Sequence, residues 1–309
     1  MSIPRLSPGL VLFAALLWCA ITGHAEQVFR ASVDLVQVTV TVRDADGRLV
    51  GNLRREDFDV FEDGKAQVIS QFQSGRVPVS LGIVLDVSES MYGQRMSDAS
   101  FALDRFLVDL LEPTDEVFLA VFNHDPTLHE GWTLDPATLG GRFAEVRPYG
   151  ATAIYDAMTM ALPLFRTRSH QRAAIVLISD GSDTASDTNV REVQRLLRQS
   201  DAFVYALAID APESRPINDR VNAKALREIT DGSGGYTEVV HDSPDLTPAT
   251  ERIADELNHQ YTLAYSPGHP PDSRYHRIRV AVTRSGEYTV RARRGYVAIP
   301  ERWRQRDTR

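Results

Sequence analysis

The rhythm of apolar and polar positions changes twice after the first 35 residues of this chain. Val36, Val38, Val40 and Val42 alternate with polar residues, the two-residue period of a strand with one face buried. Asp46-Gly47 marks a hairpin turn. Phe58 and Val60 then lead to the turn Glu62-Asp63-Gly64, and Val68 to Phe72 reads as a returning strand. The parity change between Leu35 and Val36 predicts a bulge near the start, in what is expected to be a small antiparallel sheet.

From Pro78 the pattern is different. Short aliphatic runs at 80–86, 116–122, 173–179 and 203–209, and a strand at 236–240, are separated by helical stretches near 92–111, 153–166, 190–199, 221–230 and 246–259. Unbroken apolar runs suit strands buried on both faces, and strand-helix alternation predicts an α/β class with a doubly wound, mostly parallel sheet. After Tyr261 the two-residue period returns. Tyr261, Leu263 and Tyr265 alternate, then Ile278, Val280 and Val282, and after Ser285-Gly286 the run Tyr288, Val290 and Ala292; the last two runs predict one hairpin. Neither β segment has strands enough to close a core alone. We therefore expect residues 26–76 and 260–299 to pack into one small antiparallel sandwich, with an α/β domain at 77–259 inserted and a tail at 300–309.

Composition adds bounds. The 309 residues are 43% hydrophobic and 25% charged, ordinary globular material. Residues 1–25 read as a Sec-type signal peptide: Arg5, an apolar stretch from Leu10 to Ile21, and small Gly23 and Ala25 before a cut at Glu26. The alternative is an uncleaved anchor, for which the stretch is shorter than the ~20 residues of a spanning helix. The expected location is periplasmic or secreted, with no transmembrane segment after cleavage. Cys19 is the only cysteine, and bulky Trp18 before it argues against a lipidation signal. Loss of Arg5 takes the net charge from −8 to −9, which argues against nucleic acid as a partner. Residues 270–309 are the exception, with eleven arginines and four acids. A solvated strand face explains them, and an anionic contact, either a surface or the protein's own acidic domain, is the alternative.

The candidate chemistry lies where an apolar run stops. Leu81 to Leu85 ends in Asp86, followed by Ser88 and Ser90 at i+2 and i+4. Ligands of open α/β sheets bind outside the carboxyl ends of strands, and a carboxylate with hydroxyls suits a divalent metal. Alone, the two serines would read as helix caps. Two later segments change that reading: Thr152 precedes a helical stretch, and Asp180 ends the strand near 173–179. The order D-x-S-x-S, T, D resembles the metal ion-dependent adhesion site of von Willebrand factor type A domains, over roughly residues 78–258. All five positions match: Asp86, Ser88, Ser90, Thr152 and Asp180. The segment 128–134 would then be the short antiparallel edge strand such domains have. The whole layout, with EDFDVFEDG before the α/β part and RIRVAV and YTVRARRGYVA after it, resembles the VWFA-related proteins that bacteria export.

Hydroxyls are hard neutral donors, suited to Mg²⁺, Mn²⁺ or Ca²⁺. Few direct carboxylates leave such an ion most of its charge, so that a partner's Asp or Glu can complete its shell; this is the adhesion mechanism the resemblance implies. Asp156 and Asp183 are read as loop supports and Glu89 as pointing to solvent. Tyr92 and Tyr149 are read as packing residues, with rimming of the metal as the alternative. Against catalysis, there is no G-x-S-x-G elbow, H-E-x-x-H, Walker A loop or G-x-G-x-x-G, and His124, His129, His241 and His259 fall at no recognisable spacing. The expectation is a non-enzymatic protein-binding module. A structural or envelope-assembly component, its metal only stabilising the fold, is the second reading, and a metal-dependent hydrolase the third.

Overall fold

The computed structural model describes residues 35–136, 139, 147–210 and 221–299. The signal-peptide and tail expectations lie outside these residues. The alternating valines form β1 (Val36–Asp44), and all four are buried. The expected bulge is absent. β1 holds an unbroken register from Val36, and Leu35 lies exposed outside it, so the parity change marks the strand's start. The turn at Asp46-Gly47 returns only as far as a single bridge between Arg43 and Leu49. β2 (Phe58–Glu62) and β3 (Lys65–Gln67) form a hairpin whose Asp63 and Gly64 have φ of 48° and 82°, the left-handed pair of a two-residue turn. The returning strand is therefore 65–67. β4 (Ile69–Gln73) has left that sheet for another, and Val68, exposed between the two, marks the step.

The α/β part follows the expected alternation closely. It comprises β5 (Val79–Asp86), α1 (Gln94–Asp104), β6 (Glu116–Phe122), β7 (Thr127–Thr133), α2 (Ile154–Leu164), β8 (Arg172–Ser179), α3 (Val190–Leu197), β9 (Phe203–Ile209), α4 (Ala223–Thr230), β10 (Thr237–Val240) and α5 (Leu246–Asn258). The sheet order is β10-β9-β8-β5-β6-β7, parallel except for β7 at the edge. Side chains of β5 alternate between two cores. Leu81, Ile83 and Leu85 pack with Met96, Ala99 and Leu103 of α1 and Ala249 and Ile253 of α5. Val84 faces α2, α3 and α4 with Phe118 and Ile175. Gly82 is a glycine for want of room, because a Cβ there would run into the Phe118 ring.

The C-terminal segment gives β11 (Tyr261–Tyr265), β12 (Tyr275–Val282), β13 (Tyr288–Ala292) and β14 (Gly295–Val297). Two four-stranded sheets result, ordered β13-β1-β11-β4 and β14-β12-β2-β3, each drawing strands from both ends of the chain. The valines of β1, with Phe58, Val60, Tyr261, Leu263, Tyr265, Ile278 and Tyr296, form their common core. The hairpin expected of β12 and β13 does not form. β12 pairs with β2 and β14, while β13 pairs with β1, so Ser285-Gly286 carries the chain between sheets. Periodicity alone cannot separate these outcomes, because both put alternate residues into a core.

The two parts meet near the amino ends of the central strands. Arg172, at the start of β8, donates to Gln260, whose amide donates to the Tyr205 hydroxyl. Tyr205 donates to Glu256, a fully buried residue of α5, which also pairs with Arg43 at 3.1 Å and with Arg291. Arg291 thus serves the protein's own acidic part, and Arg294 is exposed. The carboxyl ends of the central strands lie at the opposite edge of the sheet.

Candidate metal centre

β5 ends at Asp86 because its side chain turns back on the chain that follows. Asp86 Oδ1 accepts the Ser88 N–H at 2.9 Å, an Asx-type turn that starts the loop. Oδ2 accepts the Ser179 hydroxyl at 2.6 Å, tying the ends of β5 and β8 together. Ser88 and Ser90 face one another, their hydroxyl oxygens 3.0 Å apart. Thr152 comes in on the loop before α2, fastened by the bond from the Glu89 N–H to the Gly150 carbonyl at 2.9 Å. The Thr152 N–H donates to the Thr184 hydroxyl and its carbonyl accepts the N–H groups of Thr184 and Ala185, so the hydroxyl is the group it has to offer. Asp180 follows β8; its Oδ1 accepts the Ser182 N–H at 3.1 Å. Its neighbour Gly181 has φ of 82°, where a Cβ would lie 2.6 Å from the Asn222 carbonyl oxygen.

Asp86, Ser88, Thr152 and Asp180 are buried and Ser90 is half-buried, all at the carboxyl edge of the sheet. Burial pushes the Asp86 carboxyl up to about 7, and the Asp180 charge acts in the same direction, against hydrogen bonds from Ser179 and Ser88. The hydrogen-bond partners of Asp86 are the neutral Ser179 hydroxyl and Ser88 N–H, so no cation among its partners offsets its charge. The donor set fits a hard divalent ion: three hydroxyls and two carboxylates, with no thiol or imidazole among them.

Arg95 was not singled out from the sequence. This side chain, 1% exposed, donates to Asp180 Oδ2 at 2.8 Å and to the Ser90 carbonyl at 3.1 Å, and lies 3.9 Å from Asp210. One signal was present. Arg95 stands with Ala99 and Ala102 on the stripe that α1 turns inward, where an unpaired charge is costly.

The surrounding residues divide into supports and rim. Asp183 Oδ1 accepts the Ile154 N–H at 2.8 Å and holds the start of α2, and Asp156 accepts the Asp187 and Thr188 N–H groups and the Thr188 hydroxyl. Both steady loops, and Glu89 points to solvent. Tyr92 and Tyr149 are 70% and 61% exposed, so neither belongs to the core, and the Tyr149 ring stands edge-on to His124 at 6.0 Å. Tyr149 is held beside the site by its N–H bond to the Val87 carbonyl.

Residues 81–182 match the family model for the von Willebrand factor type A domain. Inter-alpha-trypsin inhibitor heavy chain H4 of Homo sapiens is 28% identical over 206 residues, 61% of this chain and 21% of that protein. Heavy chain H2 of Mus musculus is 29% identical over 198 residues, 59% of this chain and 20% of that one. The match thus spans about a fifth of the length of these relatives. Among solved structures, a von Willebrand factor type A protein from Catenulispora acidiphila is 12% identical with a TM-score of 0.51, over 89% of this chain and 77% of that one. An aerotolerance-related membrane protein from Bacteroides fragilis is 24% identical with a TM-score of 0.50, over 58% of this chain and 98% of that one. At these identities the structural likeness is one of fold.

Proposed function

We propose, from the premise that the α/β part of this chain is a von Willebrand factor type A domain, that the protein is an exported, non-catalytic binding module. Its partner is a protein with an exposed Asp or Glu, captured through a divalent ion held by Asp86, Ser88, Ser90, Thr152 and Asp180. The ion is Mg²⁺, with Mn²⁺ or Ca²⁺ as substitutes. What supports this reading is that all five residues lie at or just past the carboxyl ends of the central strands, four of them buried, and that the hydrogen-bond partners of Asp86 are neutral. The ion supplies a positive centre that a partner's carboxylate can join. The chain's own residues do the rest: neutral hydroxyls leave that centre under-neutralised, Arg95 holds Asp180 in place, and exposed Tyr92 and Tyr149 offer a contact rim. Export rests on the sequence of residues 1–25. No helix among the described residues is long and apolar enough to cross a membrane.

The test is a Mg²⁺ and Mn²⁺ titration by calorimetry on wild type and Ser88→Ala, followed by capture on an immobilised acidic peptide with and without chelator. Saturable binding lost in the variant, with chelator-sensitive capture, supports the proposal. Absence of binding to wild type removes it. Binding without capture leaves the ion as a stabiliser and favours the assembly reading.

A further inference from the structure

A second polar cluster lies in the sandwich, and its chemistry is unlike the first. Glu62 ends β2 and is 4% exposed; its Oε2 accepts the hydroxyls of Tyr265 at 2.6 Å and Tyr296 at 3.0 Å. Its Oε1 is turned toward His269 Nε2 at 3.0 Å. His269 Nδ1 lies 2.9 Å from the Pro270 carbonyl, an atom that can only accept, so Nδ1 carries a hydrogen. In the neutral ring Nε2 is then a lone pair facing a carboxylate oxygen, and something positive has to stand between them. His276 stacks on His269 with centroids 3.9 Å apart and is itself buried. Its Nδ1 is 2.8 Å from Asp63 and its Nε2 3.1 Å from Asp272. Two stacked imidazoles are thus ringed by three carboxylates.

Either two protons satisfy this arrangement, which stacks two like charges, or one divalent cation does. We infer that Glu62, His269 and His276 form a second metal site, for a transition ion of the zinc class, distinct from the hydroxyl site at the sheet edge. One ligand atom from each of the three lies within 4.8 Å of the others. Glu62 and His269 already stand at 3.0 Å, inside the ~3.3 Å between ligands of a tetrahedral zinc with bonds near ~2.0 Å, and binding has to bring the His276 nitrogen to the same spacing. His269 lies in the loop between β11 and β12 and is half-buried. Imidazole suits such an ion as hydroxyl suits magnesium. The outer partners are already present: two tyrosines orient Glu62, the Pro270 carbonyl sets the His269 tautomer, and the ion takes the place of one carboxylate on His276 while the other stays to orient the ring. The site joins β2 near one end of the chain to the β11–β12 loop near the other. It would clip the sandwich shut in a chain whose single cysteine allows no internal disulfide.

The experiment uses the full chain, stripped with chelator and supplied with excess Mg²⁺ to occupy the sheet-edge site. Zn²⁺ is then titrated by calorimetry and thermal melting into wild type, His269→Ala, Tyr265→Phe and Ser88→Ala. The expected result is one Zn²⁺ per chain with a raised melting temperature, abolished in His269→Ala and untouched in Ser88→Ala. Tyr265→Phe should weaken binding about 10-fold, as the loss of an outer partner does. Cobalt substituted into wild type should show a visible spectrum with nitrogen and oxygen ligation that disappears with His269. Absence of saturable Zn²⁺ binding would overturn the inference, as would binding that persists in a folded His269→Ala protein or is lost only in Ser88→Ala.

Discussion

The sheet edge and the sandwich each concentrate polar groups, but they are assembled in opposite ways. At the sheet edge the groups follow one another along short loops: Asp86, Ser88 and Ser90 within five residues, and Ser179, Asp180 and Asp183 within another five. In the sandwich Glu62 meets His269 across 207 residues of sequence. The edge cluster uses neutral hydroxyls and has one buried arginine; the sandwich cluster uses imidazoles hemmed by acids. A site built on consecutive loops of a parallel sheet inherits its geometry from strand order, and one built between sheets depends on how the sheets close.

The sharpest way to break this comparison is at the joint between the two regions. Glu256→Ala removes the acid that Arg43, Arg291 and Tyr205 share and should cost about 3 kcal/mol, read as the midpoint shift in urea. If the two regions then melt separately, each cluster belongs to an independent unit; a single transition means that they fold together. Next comes Gly82→Ala, which drives a methyl into Phe118 beneath the sheet edge and should cost roughly 1–3 kcal/mol through overpacking. It should disturb ion binding at the edge and leave the histidine cluster unaffected. Tyr265→Phe does the reverse: in metal-free protein it withdraws a donor from buried Glu62, for an expected loss of about 1.5 kcal/mol in thermal melts, with Mg²⁺ binding unchanged.

The smallest effect is a pH dependence confined to the edge. Burial raises the Asp156 carboxyl, but the Thr188 hydroxyl and the N–H groups of Asp187 and Thr188 outweigh it, and the net shift is downward from 3.8. The unfolded chain therefore binds more protons in that window. The stabilisation is complete above the unfolded value and is lost as pH falls through the lowered folded value. The protection of the Asp187 and Thr188 amides, measured as exchange relative to the free-peptide rate at each pH, should fall below about pH 4, a carboxylate's ordinary range, and show no such step in Asp156→Asn, which lacks the titration.

Much of the α/β part could be read from the chain. Leu81 to Asp86 has no reason to be unbroken and aliphatic except burial on both faces, and Thr152 and Asp180 fall at the ends of segments whose order the alternation fixes. Arg95 escaped notice because charge on an inward stripe is informative only once the partner, Asp180, is known. The histidines escaped for a stronger reason. Only Asp272 lies near His269 and His276 in sequence, and their other two carboxylates, Glu62 and Asp63, come from the β2–β3 hairpin 207 and 213 residues away.

By itself, then, the sequence determined most of the strands and helices, and where an apolar run stops at a carboxylate, because burial imposes a period on each segment separately; the short strands β3 and β14 carry too few residues to show one. Tertiary structure decided which sheet each sandwich strand joined. β4 parted from β3, and β13 from β12, although their alternation is the same in either sheet. That choice rests on packing between faces, Phe58 of one sheet against Tyr261 and Phe72 of the other, which leaves no periodic trace along the chain. The Glu62 cluster exists only because those faces closed.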